Sequence, residues 1–91
     1  VQGLSAQTIY VDTRSGAVTA VGNVKTARPQ GSAAQLVALP TRQQLLLSGA
    51  ARLQVGAQHY SADKVLFSLQ AGKAVLNPAA ADVQPFSPFL K

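Results

Sequence analysis

The chain contains no cysteine, and its only histidine is His59. Without cysteine, no disulfide can compensate for a small core. The absence does not identify a compartment, because an oxidising environment permits disulfides without requiring them. Stability must therefore come from packing and hydrogen bonding.

Carboxylates are also scarce, because Asp12, Asp63 and Asp82 are the only acidic residues. His59 and Asp63 are four positions apart, and on an extended strand their side chains would share a face about 13 Å apart, too far for direct contact. No glycine-rich loop precedes a predicted helix, so the sequence also lacks a phosphate-cradling loop. We expect no catalytic site, no metal site and no cofactor.

Long apolar runs are missing as well. Runs of large apolar residues are no longer than Leu45-Leu46-Leu47, whereas a membrane-spanning helix needs roughly 18 consecutive apolar residues. We therefore expect a soluble domain, and 91 residues allow one domain with a small core. The sequence begins at Val1 without a methionine or a charged-then-apolar leader, which suggests a processed or excised piece.

Positive charge is in excess, with eight lysines and arginines against three acidic residues and a net charge of +5. This balance favours anionic partners such as lipid headgroups, nucleic acid or an acidic protein. The basic residues do not cluster along the chain, which is more typical of a solvated surface than of a binding patch. They are Arg14, Lys25, Arg28, Arg42, Arg52, Lys64, Lys73 and Lys91.

A pattern of strand, turn and strand occurs two and a half times. Ser5-Ala6 and Gly22 of the first copy recur 27 positions later as Ser32-Ala33 and Gly49, and a third copy starts at Ser61-Ala62. The copies cover about 5–31, 32–58 and 61–77 of a single predicted domain at 1–77. A period of this size indicates stacked β-structure in which each unit needs its neighbours to bury its apolar face. The third copy stops early, which predicts an open end.

The alternation of apolar and polar residues, with frequent Gly, Pro, Asn and Asp, predicts strands rather than helices. We expect strands at 5–11, 17–27, 33–39, 44–55, 59–68 and 73–77. Asp12 through Gly16 suits a hairpin loop, because Asp can accept bonds from following amides and Gly can take a positive φ. Residues 78–91 are rich in Pro and Ala and are interpreted as a tail or linker.

Pairing across the first hairpin assigns the faces of the predicted sheet. Placing Val11 opposite Ala17 sets Tyr10 against Val18, on the same side as Ala20. The same side receives Ala33, Val37, Leu45, Leu47, Ala51 and Leu53. The other side receives the polar residues of these strands, and also the apolar residues Ile9, Val11, Val21, Leu36 and Leu46. We therefore expect a neighbouring sheet, a partner or a sandwich closure to cover that second face.

The first repeat contains Ala6-Gln7, Ile9-Tyr10-Val11-Asp12, Ser15-Gly16-Ala17-Val18 and Val21-Gly22-Asn23-Val24. In these sequences, and most specifically in the last, the chain resembles the OstA-like family of lipopolysaccharide-transport domains. Ala62-Asp63-Lys64-Val65 restores the Ala-Asp start that is typical of that repeat, whereas Ala50-Ala51 departs from its Asn-Val. The match covers about residues 5–77.

The resemblance implies an all-β fold of stacked antiparallel strands that form an open β-jellyroll trough in the periplasm or cell envelope. Lipopolysaccharide or another acyl lipid would lie in the apolar interior. The candidate lining residues are Tyr10, Val18, Ala20, Val24, Val37, Leu45, Leu47, Leu53, Leu66 and Leu76. The resemblance also implies end-to-end joining by edge-strand pairing, with related β-jellyroll domains or with further copies of the chain, through residues 5–11 and 59–77.

Two other interpretations remain open. The same residues would form an ordinary packed core if the chain were an envelope scaffold that binds proteins without lipid, and its interior would then be filled. A basic β domain could also bind single-stranded nucleic acid, but only Tyr60 and Phe67 remain as candidates for base stacking. We do not expect a nucleic-acid partner.

Overall fold

The computed structural model describes residues 3–27 and 30–89. They form one six-stranded antiparallel sheet in which the strands lie in chain order. The strands are β1 (Thr8–Val11), β2 (Val18–Ala27), β3 (Gln30–Leu39), β4 (Gln44–Val55), β5 (Gln58–Ser68) and β6 (Lys73–Leu76). The all-β, antiparallel prediction is confirmed, and the sheet is not closed.

Each strand agrees with its predicted range to within three residues at either end. The first hairpin turn also forms as predicted. The Arg14 amide donates to Asp12 Oδ1 at 2.9 Å, and Gly16 has a φ of 75°. These local features depend on residues close in sequence, so the turn chemistry alone specifies them.

The predicted register of this hairpin is wrong by one residue. Val11 pairs with Val18 and Tyr10 pairs with Thr19, so Tyr10 does not lie opposite Val18. The cause is a hydrogen bond of 2.8 Å from the Asp12 amide to the Ala17 carbonyl, which closes the turn one position later on the first strand. Because side chains alternate along a strand, this slip moves Tyr10 to the opposite face from Ala20.

Two β-bulges interrupt the sheet at equivalent positions of the repeat. Gly22 and Asn23 oppose a single residue of β3, and Gly49 and Ala50 oppose a single residue of β5. All four have positive φ, at 89°, 49°, 80° and 51° in chain order. A bulge inserts one residue, bends the strand and changes which positions face the core. The glycine of the repeated sequence thus marks a bend in the sheet.

The bulges explain why the face assignment of Leu36 was wrong. Val24 pairs with Ala33 on one side of the first bulge, and Ala20 pairs with Leu36 on the other. All four belong to the same buried cluster. Ala33 and Leu36 of β3 are three positions apart, so strict alternation would place them on opposite faces, yet both lie in this cluster.

We call the side of the sheet that carries this main cluster the inner face. Its buried members are Ala20, Val24, Ala33, Leu36, Leu45, Leu47, Ala51, Leu53, Val65 and Phe67. Residues on one face of a flat sheet stay accessible unless something lies over them. Leu4 and Ala6 pack against this cluster, and the C-terminal helices do not contribute to it. The sheet must therefore bend over its own inner face.

The opposite side, the outer face, is partly covered by the C-terminal segment. Helix α1 (Ala80–Val83) leads into a 3-10 helix (Gln84–Phe89), and Phe86 is fully buried among outer-face residues. The cluster comprises Ala17, Val37, Leu39, Leu46, Leu66 and Phe86, with Val83 and Phe89 packed against it. The Thr19 hydroxyl also donates to the Phe89 carbonyl at 3.2 Å. Residues that the composition assigned to a tail or linker thus complete the second face.

We expect Phe86→Ala to lower the free energy of unfolding by about 3 to 5 kcal/mol, because it leaves a cavity between the C-terminal segment and the sheet. The exposed neighbour Ser87 supplies the control, and Ser87→Ala should stay within about 0.5 kcal/mol of the wild type. Urea unfolding followed by circular dichroism measures both. Equal stability of the two variants would show that the segment does not pack on the sheet in solution.

Gly49 and Gly56 form a matched pair for testing the bulge. Both have positive φ. A Cβ added at Gly49 would lie 2.6 Å from the Ala34 Cβ, whereas a Cβ added at Gly56 would have no neighbouring heavy atom within 4 Å. Gly56→Ala should cost about 1 to 2 kcal/mol of unfolding free energy from backbone strain. Gly49→Ala should cost about 1 to 3 kcal/mol more from overpacking. Denaturant titration that finds the same loss in both variants would contradict the close approach at the bulge.

Candidate apolar track and sheet edges

Half of the ten predicted lining residues come together on the inner face. They are Ala20, Val24, Leu45, Leu47 and Leu53, and each is no more than 2% exposed. They come from β2 and β4, the two strands that carry the bulges. These aliphatic side chains offer contact without any polar group that would need a partner.

The other five predicted lining residues do not belong to this buried group. Val37 and Leu66 belong to the outer-face cluster, beneath the C-terminal helices. Tyr10 pairs with Thr19 at the β1 edge and is 48% exposed. Val18 is half-buried on the inner face, and Leu76 is 45% exposed at the β6 edge. Tyr10 lies on the outer face because the register of the first hairpin is shifted, and Val37 lies there because the bulge changes the face of β3 residues.

Five buried residues of the inner face were absent from the predicted lining, although the sequence held a signal for some of them: Ala33, Leu36, Ala51, Val65 and Phe67. Ala51 lies two positions before Leu53 on β4, and Val65 and Phe67 are two positions apart on β5, so alternation places each pair on one face. Leu36 could be found only by recognising the bulge. Phe67, considered above as a base-stacking residue, is 5% exposed and belongs to this core.

Two rows of apolar residues cross all six strands on the inner face. One row runs through Val11, Val18, Ala38, Leu45, Phe67 and Ala74. The other runs through Ile9, Ala20, Leu36, Leu47, Val65 and Leu76. We call the two rows together the apolar track. It is buried in the middle of the sheet and exposed at its ends.

The exposed ends of the track lie on the two edge strands. Val11 is 62% exposed and Ile9 is 45% exposed on β1, and Leu76 is 45% exposed on β6. Among residues 3–27 and 30–89, β1 pairs only with β2 and β6 pairs only with β5. An open strand edge with apolar side chains is the kind of surface to which another strand can add.

Along β6, residues whose backbone groups bond to β5 alternate with residues whose backbone groups face outward. The Asn77 amide donates to the Lys64 carbonyl at 2.8 Å, so this pair is hydrogen-bonded. Because bonded and non-bonded pairs alternate in an antiparallel ladder, Val75 is bonded to Leu66, and the amides of Ala74 and Leu76 point away from the sheet. These two amides are available to a further strand.

Charged and metal-binding groups form no site near the track. His59 and Asp63 are both exposed. Within the described ranges, no group of three or more His, Cys, Asp or Glu side chains could hold a metal ion. In the same part of the chain, no helix is long and apolar enough to cross a membrane.

Comparison with protein-family models and with curated proteins finds no match to this chain. The functional assignment therefore depends on the motifs and on the geometry of the track and the edges.

Proposed function

We propose that the chain is a non-catalytic, OstA-like module of the periplasm or cell envelope. It binds lipopolysaccharide or a similar acyl lipid along its inner face, and it joins related domains end to end to extend an open β-jellyroll trough. The observation that carries this proposal is the apolar track, which crosses the whole sheet and emerges at both edges.

The energetic argument is that an acyl chain gains from every methylene it removes from water, at roughly 0.8 kcal/mol each. A track of Leu, Val, Ile, Ala and Phe meets that need without leaving polar groups unpaired. The track runs across the strands, so pairing of an edge strand with a second domain would continue it into that domain. End-to-end association and lipid passage are thus two uses of the same geometry.

A second candidate is a scaffold that binds proteins through the same edges and holds no lipid. The packing of the inner face favours it, because the ten residues of the main cluster are at most 8% exposed. A lipid would have to enter where the inner face is only half-buried, at positions such as Ala62 and Tyr60. The two candidates differ in whether the inner face opens to admit an acyl chain.

Purification from bacterial membranes without detergent, followed by native mass spectrometry, distinguishes the candidates. Copurified glycolipid or phospholipid supports lipid binding. A mass without lipid, together with failure to protect a fluorescent acyl probe from water, would refute it and favour the scaffold.

Ala62→Phe tests the inner face directly, because Ala62 is half-buried and packs against the main cluster. The added ring should occupy space equivalent to about two methylenes of the acyl probe and weaken probe binding about tenfold. Ser48→Phe places the same ring at a half-buried position of the outer face and is the control. Fluorescence titration of both variants, with circular dichroism to verify folding, makes the comparison. Equal weakening by both would contradict binding on the inner face.

Leu76→Pro tests the β6 edge, because it removes an amide that points outward and leaves the bonds of Val75 to β5 in place. Leu76→Ala loses the same side chain but retains the amide. We expect Leu76→Pro to weaken self-association about fivefold more than Leu76→Ala, because an added strand loses a hydrogen bond worth about 1 kcal/mol. Sedimentation over a range of concentrations measures this. A wild-type chain that remains monomeric throughout would contradict joining between copies.

A further inference from the structure

An open concave region lies at one end of the sheet, and most of its lining belongs to the outer face. Its volume is about 530 Å³, and it lies where β2 and β4 end and β3 and β5 begin. We call it the basic pocket. Its lining residues are Lys25, Thr26, Gln30, Gly31, Ser32, Arg52, Leu53, Gln54, His59, Tyr60 and Ser61.

Strand register places most of these residues on the outer face. Lys25, Ser32, Arg52 and Ser61 are successive partners across four strands. Their neighbours in sequence include Val24, Ala33, Ala51 and Leu53 of the inner-face cluster. Side chains of adjacent strand residues point to opposite faces, so the polar row lies on the outer face. Gln30, Gln54 and His59 form a second row beside it.

The repeat brings the two cations of the pocket together. Arg52 follows Lys25 by 27 positions, the length of the repeat, and the two lie on β2 and β4 with only β3 between them. Their strands are therefore about 10 Å apart, at about 4.8 Å per strand spacing. His59 is a diagonal neighbour of Arg52, at about 7 to 8 Å between Cα atoms. Cations that are scattered in sequence thus converge in space.

The pocket is positively charged and lacks a neutralising carboxylate. No acidic residue is among its described lining residues. Lys25 and Arg52 are exposed, and neither side chain makes an ion pair with any residue in 3–27 or 30–89. Arginine presents a planar fork of donors that suits phosphate oxygens, and lysine adds a point charge beside it. The natural ligand of this arrangement is an oxyanion.

The polar side chains of the pocket extend beyond the two cations, which favours a ligand larger than a bare phosphate. Gln30, Gln54 and the imidazole of His59 can each donate and accept hydrogen bonds, as can the hydroxyls of Ser32 and Ser61. Donor and acceptor groups side by side match sugar hydroxyls, and a volume of this size is typical of small-molecule sites. We propose that the basic pocket binds a phosphorylated sugar, with Arg52 and Lys25 on the phosphate and the second row on the sugar.

Nucleic acid also presents phosphate, but the pocket lacks a stacking platform. Tyr60 and the imidazole of His59 are the only aromatic rings among the described lining residues, and Phe67 and Phe86 are both buried in the core. Single-stranded nucleic acid is usually held by several aromatic side chains along a basic groove. The phosphorylated sugar therefore fits the pocket better.

Calorimetric titration of the whole chain with glucose 1-phosphate, inorganic phosphate and glucose tests the proposal. At constant ionic strength, we expect glucose 1-phosphate to bind at least about tenfold more tightly than either fragment, because it engages both rows. Arg52→Gln and Lys25→Gln should each weaken it about tenfold. Lys73→Gln removes an exposed lysine from β6 and should leave the affinity unchanged. Equal weakening by all three variants would overturn the proposal, since it would indicate a general charge effect.

Two further titrations identify the source of the sugar phosphate. Phosphatidylcholine vesicles carrying a phosphorylated glucosamine lipid are compared with vesicles carrying the dephosphorylated lipid. Binding to the phosphorylated vesicles alone, lost in Arg52→Gln, supports a headgroup source, and binding to glucose 1-phosphate as well supports a soluble one. Binding to neither overturns the proposal, as does tight binding of single-stranded DNA that glucose 1-phosphate does not displace.

The pocket and the track lie mainly on opposite faces, with Leu53 and Tyr60 of the inner face at the boundary of the pocket. Arg52→Gln should leave the affinity for the fluorescent acyl probe unchanged, and Ala62→Phe should leave the affinity for glucose 1-phosphate unchanged. Failure of one proposal is thus distinguishable from failure of the other.

Discussion

The two β-bulges are the constraint on which the rest of the structure depends. At each bulge two consecutive residues hold a positive φ, at Gly22-Asn23 and at Gly49-Ala50. The extra residue bends the strand and re-aligns its side chains. Because of it, Leu36 and Ala33 of the facing strand both reach the inner face. Without these bends, a single sheet of this size could not cover its own apolar side.

The sequence predicted local structure better than long-range structure, for physical reasons. Strand alternation and the Asp12–Gly16 turn depend on nearby residues, so their positions could be inferred. Register depends on which amide closes the turn, and composition does not specify that choice. Three residues of the predicted lining, Tyr10, Val37 and Leu66, lie on the outer face as a result of such long-range differences. Phe86 was missed because its proline-rich surroundings are typical of a linker, whereas its burial depends on contacts with distant strands.

The repeat separates two kinds of chemistry on the two faces of one sheet. Because its period brings equivalent positions to every second strand, Ala20 and Leu47 align on the inner face and Lys25 and Arg52 align on the outer face. The dispersed basic residues suggested a solvated surface when considered along the chain alone. Considered in register, two of them belong to one concave region. The repeat thus places equivalent apolar residues together on one face and equivalent charged residues together on the other.

The strand order has a consequence for how the chain acquires its structure. Each strand pairs with the strand that precedes it, so the sheet can grow hairpin by hairpin with little loop-closure entropy at each step. The packing of Phe86 in one cluster with Ala17 and Val37, and the hydrogen bond from Thr19 to Phe89, join distant parts of the chain. During synthesis the part of the outer face beneath Gln84–Phe89 therefore stays uncovered until these residues emerge. We expect their packing to follow formation of the sheet, and until then Leu46 and Leu66 are exposed to other molecules.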